Sequence, residues 1–331
     1  MATHELRLGT RGSQLALWQA RTVAARIEAA GGPPCRLVII KTSGDRLQEA
    51  PLSEIGGKRL FVKEIEDALQ RNEIDLAVHS SKDMPAEPVD GLTVAAVLPR
   101  EDPRDAVALP AAAGAVRRTG TLEELVALLG AAPTLGTGSI RRVAQLKRLF
   151  PRARFAPIRG NLDTRLRKLD EGQHDALVLA AAGLRRLGFD DRISLALPPQ
   201  GCLPAPGQGI VAIEIRRDDE ATGAAARRID DAATAVALVA ERELVAALGG
   251  GCQTPIAALA TPTPDGELEL TAAVIAPDGS RVVRSTERGP VREARAIGAR
   301  AAAHLLAGGA DEILAAVRRS AAQAANGQPT D

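Results

Sequence analysis

Hydrophobic residues in the first hundred positions follow two different spacings. Short runs of branched apolar residues are typical of strands, and longer stretches with apolar residues three or four apart are typical of helices. On one such stretch, Phe61, Ile65 and Leu69 share a helix face. The pattern predicts helices at Ser13–Ala30 and Phe61–Arg71, and strands at Glu5–Gly9, Cys35–Thr42, Ile74–Val78 and Leu92–Leu98.

A second block repeats this alternation after the proline-bounded segment Pro99–Pro103. Thr121 followed by Glu124 is the capping-box pattern that begins a helix. Leu203–Gly209, rich in proline and glycine, is interpreted as a returning linker, and we expect the strand Ile210–Ile215 to rejoin the first sheet. Strands alternating with helices imply parallel sheets with sites at the carboxyl ends of strands. The other elements predicted here are the helices Ile140–Phe150 and Leu162–Asp170 and the strands Ala153–Ile158 and Ala176–Ala181.

The pattern changes after a helical stretch that ends near Leu248. Asp265-Gly266 and Asp278-Gly279 separate three apolar runs, and Asp-Gly is a strong signal for a β-hairpin. We therefore expect a small antiparallel α+β domain with helices near 290–307 and 310–322. The predicted strands are Ile256–Thr261, Glu267–Ala276 and Arg281–Glu287.

A chain of 331 residues is long enough for two or three domains. The patterns predict a discontinuous first β/α domain at 1–99 and 204–228, a second at 103–200, and a C-terminal α+β domain at 232–322. Residues 324–331 are expected to form a frayed tail.

The amino-acid composition limits which ligands the protein can bind and in which cellular compartment it is expected. Lys and Arg number 42 against 41 Asp and Glu, and there is no Tyr and one Trp, so nucleic acid is not favoured. An anion site must therefore be built locally. Three distant cysteines argue for a reducing compartment rather than a disulfide framework, and the four histidines lack metal-ligand spacing. No apolar run is typical of a signal peptide or membrane span, so we expect a soluble cytoplasmic protein.

The stretch Leu248–Ile256 places one cysteine, Cys252, on a glycine-rich turn. The glycines at 249–251 end the preceding helix pattern, and Pro255 prevents the helix from resuming. Cysteine is a soft nucleophile that can form a covalent bond. The alternative is a buried cysteine that fills a loop, and this stretch alone leaves the two interpretations about equal.

Basic residues recur where predicted strands meet helices, beside small polar turns. Backbone N–H groups and helix N-termini add positive potential there, and the Arg fork pairs with carboxylates. A single Arg on a helix is more often solvated, but the set as a whole suits a ligand rich in carboxylates or phosphates. The Gly-rich turns match neither a dinucleotide fingerprint nor a P-loop, so a nucleotide is not favoured. The set is Arg11, Lys58, Lys82, Arg141, Arg142, Arg159, Arg165 and Arg186.

Asp83 is a carboxylate within this basic set, directly after a predicted strand and beside Lys82. A turn or capping aspartate is the commoner explanation for such a position. The functional explanation is an anion that stabilises developing positive charge, or that accepts and returns a proton.

Six motifs, in order along nearly the whole chain, resemble those of the porphobilinogen deaminase family, also called hydroxymethylbilane synthases. Their number and order make the resemblance highly specific. Two positions depart from it: Glu54 lies where a basic residue is expected, and Arg59 replaces a usual glycine. Both touch the loop of Lys58, whose role is therefore the least defined. The motifs are Arg11-Gly12-Ser13, Val78–Pro85, Gly136–Arg142, Arg159-Gly160-Asn161, Leu203–Gly209 and Gly250–Ile256.

The resemblance implies an α/β fold with two domains similar to type II periplasmic binding proteins around a cleft. A small C-terminal α+β domain with a three-stranded antiparallel sheet carries the cysteine turn. The implied activity is a transferase of tetrapyrrole (haem) biosynthesis, which joins four porphobilinogen molecules head to tail with loss of ammonia. They are added to a dipyrromethane primer, which is bound to Cys252 through a thioether, and hydrolysis then releases hydroxymethylbilane.

The resemblance also implies roles for single residues. Asp83 is expected to be catalytic, facing pyrrole N–H groups and stabilising the cationic azafulvene that forms when porphobilinogen loses ammonia. The residues expected to hold the cofactor are Cys252, Lys82, Asp83, Thr137, Ser139, Arg141, Arg142 and Gly160. Those expected to bind substrate are Arg11, Ser13, Lys58, Arg159, Arg165 and Arg186.

We expect a monomer that binds no metal, nucleic acid or membrane and passes its product to uroporphyrinogen-III synthase. The alternative is a non-catalytic, two-lobed solute-binding protein for an organic anion. The missing export signal, the third domain and the glycine-flanked Cys252 count against that alternative. Ammonia release from porphobilinogen separates the two.

Overall fold

The first part of the chain forms the strands and helices that its hydrophobic pattern predicts, with bounds shifted by a few residues. The computed structural model describes residues 5–46, 62–111, 118–251 and 254–325. Ser13 caps the first helix, because its hydroxyl accepts the Ala16 N–H at 3.3 Å. The elements are β1 (Leu6–Thr10), α1 (Gln14–Ala29), β2 (Cys35–Ile39), α2 (Ser43–Arg46), α3 (Lys63–Gln70), β3 (Leu76–Ser80) and β4 (Leu92–Val97).

The second part begins with a strand that the sequence pattern does not predict, a fully buried run of four residues that starts at Asp105. The predicted cap at Thr121 is present, since its hydroxyl accepts the Glu124 N–H at 3.1 Å. Ala181, predicted as the end of a strand, instead begins a helix. The elements are β5 (Asp105–Ala108), α4 (Leu122–Leu129), β6 (Thr134–Gly136), α5 (Ile140–Leu149), β7 (Arg154–Ala156), α6 (Leu162–Asp170), β8 (Ala176–Ala180), α7 (Ala181–Arg186) and β9 (Leu195–Ala196).

The last part contains the three predicted antiparallel strands. Gly266 and Gly279, the glycines of the two Asp-Gly pairs, both have φ of +79°, which is the left-handed conformation that tight hairpins require. The last helix continues through Ala324 to Ala325, and the rest of the predicted tail lies outside the described residues. The elements are β10 (Val211–Arg216), α8 (Glu220–Arg227), α9 (Ala232–Ala247), β11 (Ile256–Pro262), β12 (Glu267–Ile275), β13 (Val282–Pro290), α10 (Ala294–Ala307) and α11 (Ala310–Ala325).

The two β/α sheets are mixed, and the expectation of parallel sheets was wrong. The first sheet has the order β2-β1-β3-β10-β4, with β10 antiparallel to β3 and β4. The second has the order β7-β6-β8-β5-β9, with β5 antiparallel to β8 and β9. The reversed strands are those by which the chain enters the second sheet and returns to the first. A strand that arrives from another sheet is not constrained by the crossover helix that makes neighbours parallel. We call the parts built on these sheets the first lobe and the second lobe.

The two connections between the lobes run side by side. Leu98 N–H donates to Val211 O at 3.0 Å, and Glu101 N–H donates to Gly209 O at 3.1 Å. Gly209 has φ of +88°, and a Cβ at this position would lie 2.3 Å from Glu101 O. Only glycine permits this approach of the two backbones.

The third unit, which comprises α9–α11 and β11–β13, packs its sheet against α9 and α10. Leu244, Ile297 and Leu305 are fully buried in its core, and burial of such side chains contributes roughly 1.5–3 kcal/mol each. Gly298 lets the two helices touch, because a Cβ there would lie 2.3 Å from Ala240 O. The packing fixes α9, whose carboxyl end leads into the glycine turn.

Candidate functional site

A cavity of about 230 Å³ lies where the two lobes and the third unit meet. One wall is the turn Ser81–Asp83, directly after β3. Ser81 is buried and its N–H donates to Ile210 O at 3.0 Å, so the returning strand fixes the turn. Lys82 and Asp83, both half-buried, line the cavity.

The other walls come from residues just after the turn, from the second lobe, from the returning connection and from the third unit. Gly207 has φ of +72°, and a Cβ there would lie 2.7 Å from Ser81 Oγ, so the returning connection packs closely on the turn. The lining residues outside the turn are Met84 and Ala86 of the first lobe; Gly138, Ser139, Arg141 and Arg142 of the second; Ala205, Pro206, Gly207 and Gln208 of the connection; and Leu238, Arg242, Val245, Gly251, Thr254 and Ile256 of the third unit.

Asp105 is fully buried and joins both arginines of the second-lobe wall. Its carboxylate accepts hydrogen bonds from Arg141 Nη1 at 2.6 Å, Arg142 Nε at 2.9 Å and Gln208 Nε2 at 2.9 Å. Burial alone would raise the pKa of Asp105, but the charges of Arg141 and Arg142 hold that pKa below its usual range. The two arginines and Asp105 therefore carry one net positive charge beside the cavity.

The sequence predicts Arg141 and Arg142 as ligands for carboxylates, and both line the cavity. Their guanidinium groups are nevertheless largely engaged within the protein. Besides Asp105, Arg141 Nη1 donates to Leu203 O at 2.7 Å and Arg142 Nη1 to Val178 O at 2.8 Å. They contribute positive potential more than free hydrogen-bond donors.

Lys82 lies at the centre of this charged group. Burial lowers the pKa of Lys82 to about 8, while Asp83 opposes the shift and Arg142 adds to it. Lys82 Nζ also lies 3.5 Å from Gln208 Oε1. A lysine with such a pKa is only partly charged near pH 8 and responds to any anion placed beside it.

Thr137 and Ser139 organise the N-terminus of α5 by accepting backbone hydrogen bonds. Thr137 Oγ1 accepts the Ser139 N–H at 3.3 Å, and Ser139 Oγ accepts the Arg142 N–H at 3.5 Å as the helix cap. These contacts orient the wall that carries Arg141 and Arg142.

Gly160, Arg159 and Arg165 are not among the residues that line the cavity. Gly160 has φ of +107°, and its carbonyl accepts Arg165 Nε at 2.8 Å. Burial lowers the pKa of Arg165 to about 10, with added repulsion from Arg142 and Arg159 and an opposing effect from Asp83. Arg159 and Arg165, both predicted substrate ligands, thus share an electrostatic field with the cavity.

Arg11, Ser13 and Arg186 are not among the residues that line the cavity. Arg11 Nη2 pairs with Asp45 Oδ1 at 2.6 Å, and Ser13 caps α1 as described above. Arg186 lies between the lobes: its Nη2 donates to Gly209 O at 2.6 Å, and its guanidinium lies 5.7 Å from the ring of Trp18. Burial lowers the pKa of Arg186 to about 10, and Glu101 opposes that shift.

Cys252 and Lys58 lie outside the described residues, as do the departures at Glu54 and Arg59. The described residues on either side of Cys252 and its neighbour are Gly251 and Thr254. Thr254 N–H donates to Gly251 O at 3.0 Å, and Gly251 N–H donates to Thr254 Oγ1 at 3.1 Å. Both residues line the cavity.

Sequence reasoning missed three polar residues of this region, Asp105, Gln208 and Arg242. Asp105 begins an otherwise apolar strand. A carboxylate in such a strand needs a charged partner, and this was the signal in the sequence that could have identified it. Arg242 gave none, since a single Arg in an alanine-rich helix is typical of a surface. Across the described ranges, no group of His, Cys, Asp or Glu could hold a metal ion, and no helix could span a bilayer.

Two family models match the chain. One is described as porphobilinogen deaminase, dipyromethane cofactor binding domain, and matches residues 6–224. The other is described as porphobilinogen deaminase, C-terminal domain, and matches residues 235–307. The first match ends within α8 and the second begins within α9.

Among solved structures, the chain is similar to the VFT2 domain of Bordetella pertussis BvgS. The identity is 15% and the TM-score 0.39, with 68% of this chain and 86% of that chain covered. It is also similar to an amino acid ABC transporter substrate-binding protein from Streptococcus pneumoniae, at 12% identity and a TM-score of 0.35, over 68% and 86% of the two chains.

Curated relatives match almost from end to end. A porphobilinogen deaminase of Geobacter metallireducens is 47% identical over 96% of both chains. The porphobilinogen deaminase of Syntrophobacter fumaroxidans is 44% identical over 97% of this chain and 100% of its own, and that of Acidithiobacillus ferrooxidans is 45% identical over 96% and 99%. The chain therefore belongs to the porphobilinogen deaminase family.

Proposed function

We propose that the cavity beside Lys82 and Asp83 is the active site for the family's reaction, with the dipyrromethane cofactor attached through Cys252. One observation carries this proposal: Gly251 and Thr254, which flank Cys252 and Gln253 along the chain, line the same cavity as the turn Ser81–Asp83. Both ends of the connection that contains Cys252 thus line the same cavity as the predicted catalytic carboxylate.

The donor set of the cavity fits this cofactor. Each pyrrole carries an acetate and a propionate, and the cationic lining residues are Lys82, Arg141, Arg142 and Arg242. Arg242 Nη2 is buried and has no hydrogen-bond partner in the described part of the chain. A cofactor carboxylate would accept a hydrogen bond from it. Asp83 is the one carboxylate among the described lining residues and suits pyrrole N–H donors. When bound, the cofactor supplies the pyrrole carbon to which each new unit is added.

Asp83 is the residue that we assign to the chemistry. The amine of porphobilinogen departs as ammonia, and positive charge develops on the methylene carbon and the attached ring. A carboxylate that accepts hydrogen bonds from pyrrole N–H groups stabilises this charge. Asp83 can also take up the proton that the ring releases when it becomes aromatic again. The buried Ser81 holds the turn in place during both events.

The remaining predicted residues are assigned to the cofactor or to incoming substrate as the sequence predicts. Thr137, Ser139 and Gly160 shape the second-lobe wall around the cofactor, and Arg141 and Arg142 add the net charge of their cluster with Asp105. The residues that we assign to the carboxylates of incoming substrate are Arg11, Ser13, Lys58, Arg159, Arg165 and Arg186.

The lobes and the third unit suggest the domain limits 1–99 with 204–228, 103–200, and 232–322. The family assignment favours this enzyme over a non-catalytic solute-binding protein. We further propose a cytoplasmic monomer that passes its product to uroporphyrinogen-III synthase, in keeping with the near balance of 42 basic and 41 acidic residues and the three scattered cysteines.

Intact mass tests the site of attachment. A thioether does not exchange with thiols, so the cofactor should survive denaturant and reducing agent. Protein from cells that make porphobilinogen should exceed the sequence mass by two linked pyrrole units, whereas Cys252→Ala should have the bare mass. Cys35→Ala and Cys202→Ala are matched controls that should keep the adduct. Burial raises the pKa of Cys35 to about 11, and the pKa of the fully buried Cys202 is also raised, so neither is a ready nucleophile.

The outcomes are distinct. An adduct that persists in Cys252→Ala would place the attachment elsewhere. A parent protein without added mass would overturn covalent attachment altogether. Ammonia release from porphobilinogen by the parent, measured in the same preparation, reports the activity independently.

A further inference from the structure

Arg242 presents its side chain to the cavity from α9, the helix that leads into the glycine turn. Leu238, Arg242 and Val245 are spaced four and three residues apart, so they share one face of the helix, and all three line the cavity. Glu241, at the edge of this face, and Leu244, on the far side of the helix, are fully buried. The orientation of Arg242 therefore follows from how α9 is packed.

The guanidinium of Arg242 has a donor that the described protein does not use. Its Nη2 atom is buried and has no hydrogen-bond partner among the described residues. Burial lowers the pKa of Arg242, and the charges of Glu214 and Glu66 oppose this shift. Both acids are buried, and Glu214 Oε2 already lies 3.1 Å from His79 Nε2.

This situation differs from that of the other arginines in the wall. Arg141 and Arg142 share the buried Asp105 and also donate to backbone carbonyls, and neither has a buried nitrogen without a partner. Polar groups inside proteins are nearly always hydrogen-bonded, and a buried donor without an acceptor at a cavity wall indicates a missing ligand. An Arg fork is best matched by a carboxylate.

We propose that Arg242 is a carboxylate-binding residue of this cavity and holds an acetate or propionate of the pyrrole pair attached next to it. This inference rests on the proposed attachment at Cys252. Arg242 would hold the cofactor from the third unit, which carries Cys252, while Arg141 and Arg142 face it from the second lobe. The cofactor would then be held to the third unit by a carboxylate as well as by its covalent bond, with its other carboxylates in the positive potential of Arg141 and Arg142.

The competing explanation is that Arg242 only balances the charges of Glu214 and Glu66. The two explanations make opposite predictions for the protein with and without cofactor. A purely structural arginine stabilises both forms equally. A ligand-binding arginine contributes more when the carboxylate is present, and binding then stabilises the folded state by linkage.

The test compares melting temperatures of apoprotein, prepared from cells that do not make porphobilinogen, before and after loading with porphobilinogen. Intact mass confirms equal loading for each sample. For Arg242→Gln, we expect the apoprotein to melt somewhat below the parent apoprotein, because the buried Glu214 and Glu66 lose a nearby positive charge. The rise in melting temperature on loading should be at most half that of the parent. Arg242→Lys keeps the charge without the fork and should be intermediate.

Arg192→Gln is a matched control. Arg192 is similarly buried, with 16% of its side chain exposed, but it pairs with Asp170 in the second lobe and does not line the cavity. Its loss should lower the melting temperature of both forms and leave the rise on loading unchanged. The same result for Arg242→Gln would overturn the proposal, and if that variant does not fold, an undiminished rise in Arg242→Lys would do so. A parent that gains no mass would instead overturn the attachment at Cys252.

Discussion

Arg100 and Glu241 form a buried ion pair, with Arg100 Nη1 at 2.6 Å from Glu241 Oε1. The same carboxylate accepts the backbone N–H of Gly207 at 2.6 Å and that of Ala260 at 2.8 Å. Arg100 belongs to the outgoing connection between the lobes, Gly207 to the returning one, and Ala260 to β11. One side chain on α9 therefore fastens both connections to the third unit.

Removing Arg100 should destabilise the whole protein. Arg100→Ala leaves Glu241 buried without its charge partner, and breaking such a pair costs about 3–5 kcal/mol. Denaturant titration measures this as a loss in the free energy of unfolding. Arg295→Ala is the control, because the pair of Arg295 with Glu243 is exposed on the arginine side and should contribute at most about 1 kcal/mol. Equal effects of the two substitutions would contradict the role of Glu241 as a shared anchor.

Asp105 predicts a dependence of stability on acid pH. Its pKa is depressed in the folded state, so its contribution is complete above the unfolded value of about 3.9 and is lost as the pH falls through the folded value. Asp105→Asn should cost about 3–5 kcal/mol at pH 7, because Arg141 and Arg142 lose their shared partner. The difference in unfolding free energy between parent and variant should shrink below about pH 4. Asp191→Asn, at a side chain 94% exposed, should change the unfolding free energy little.

Lys82 predicts an alkaline limit to activity. With a pKa of about 8, it loses its positive charge as the pH rises above 8, and its attraction for carboxylates falls with it. The profile of kcat/KM should therefore decline above about pH 8 in the parent. Lys82→Arg keeps a charge at every accessible pH and should move this decline upward, even if its maximum activity is lower. If kcat/KM declines over the same alkaline range in the parent and in Lys82→Arg, Lys82 does not bind the anionic groups.

The lowered pKa of Lys82 also has a consequence for stability. The unfolded lysine binds a proton more tightly than the folded one, so the contribution of Lys82 to stability should rise with pH between about 8 and the unfolded value of about 10.4. Arginine does not titrate in this range, so the parent should gain unfolding free energy relative to Lys82→Arg as the pH rises. A difference between the two proteins that stays constant across this range would contradict the shift.

Asp83→Asn should lower the rate of the reaction without unfolding the protein. The amide keeps the shape of the carboxylate but cannot stabilise the developing cation, and loss of such a partner lowers kcat on the order of 10²–10³-fold. The cofactor should still be detectable by intact mass after prolonged incubation with porphobilinogen. Asp90→Asn, on the exposed loop beyond the same turn, should be neutral. A turnover of Asp83→Asn within tenfold of the parent would rule out the assigned role.

Gly209→Ala should lower the free energy of unfolding by more than the left-handed conformation of Gly209 alone would cause. Gly91 has a similar φ of +81°, and a Cβ added there would meet nothing within 4 Å, so Gly91→Ala introduces only left-handed strain of roughly 1–2 kcal/mol. At Gly209 the new Cβ would also displace Glu101 O, which adds about 1–3 kcal/mol. Paired unfolding measurements check this order, and equal losses would show that the two connections are not tightly apposed.

Local signals in the sequence predicted most of the elements and some of the site. Ser13, Thr121 and Ser139 lie at helix starts because capping depends on neighbours three residues away. The turn at Lys82 and Asp83 was also predictable, since it follows directly from the end of a buried strand.

What the sequence could not predict depends on contacts between distant residues. Asp105 and Arg141 are 36 positions apart, and their pairing requires a four-residue strand too short to leave a periodic pattern. The reversed direction of β10 depends on the return of the chain from the second lobe. Arg242 faces the cavity only because α9 is fixed by Glu241, a contact that no local pattern contains.

The packing of Arg186 over Trp18 has a spectroscopic consequence. Trp18 is the sole tryptophan of the 331 residues and there is no tyrosine, so the intrinsic emission of the protein comes from one indole. That indole is 37% exposed on α1 of the first lobe, and the guanidinium above it belongs to α7 of the second lobe. Any rotation of one lobe against the other changes the charge and water around this ring. The fluorescence of Trp18 therefore reports on the interface between the lobes without an added label.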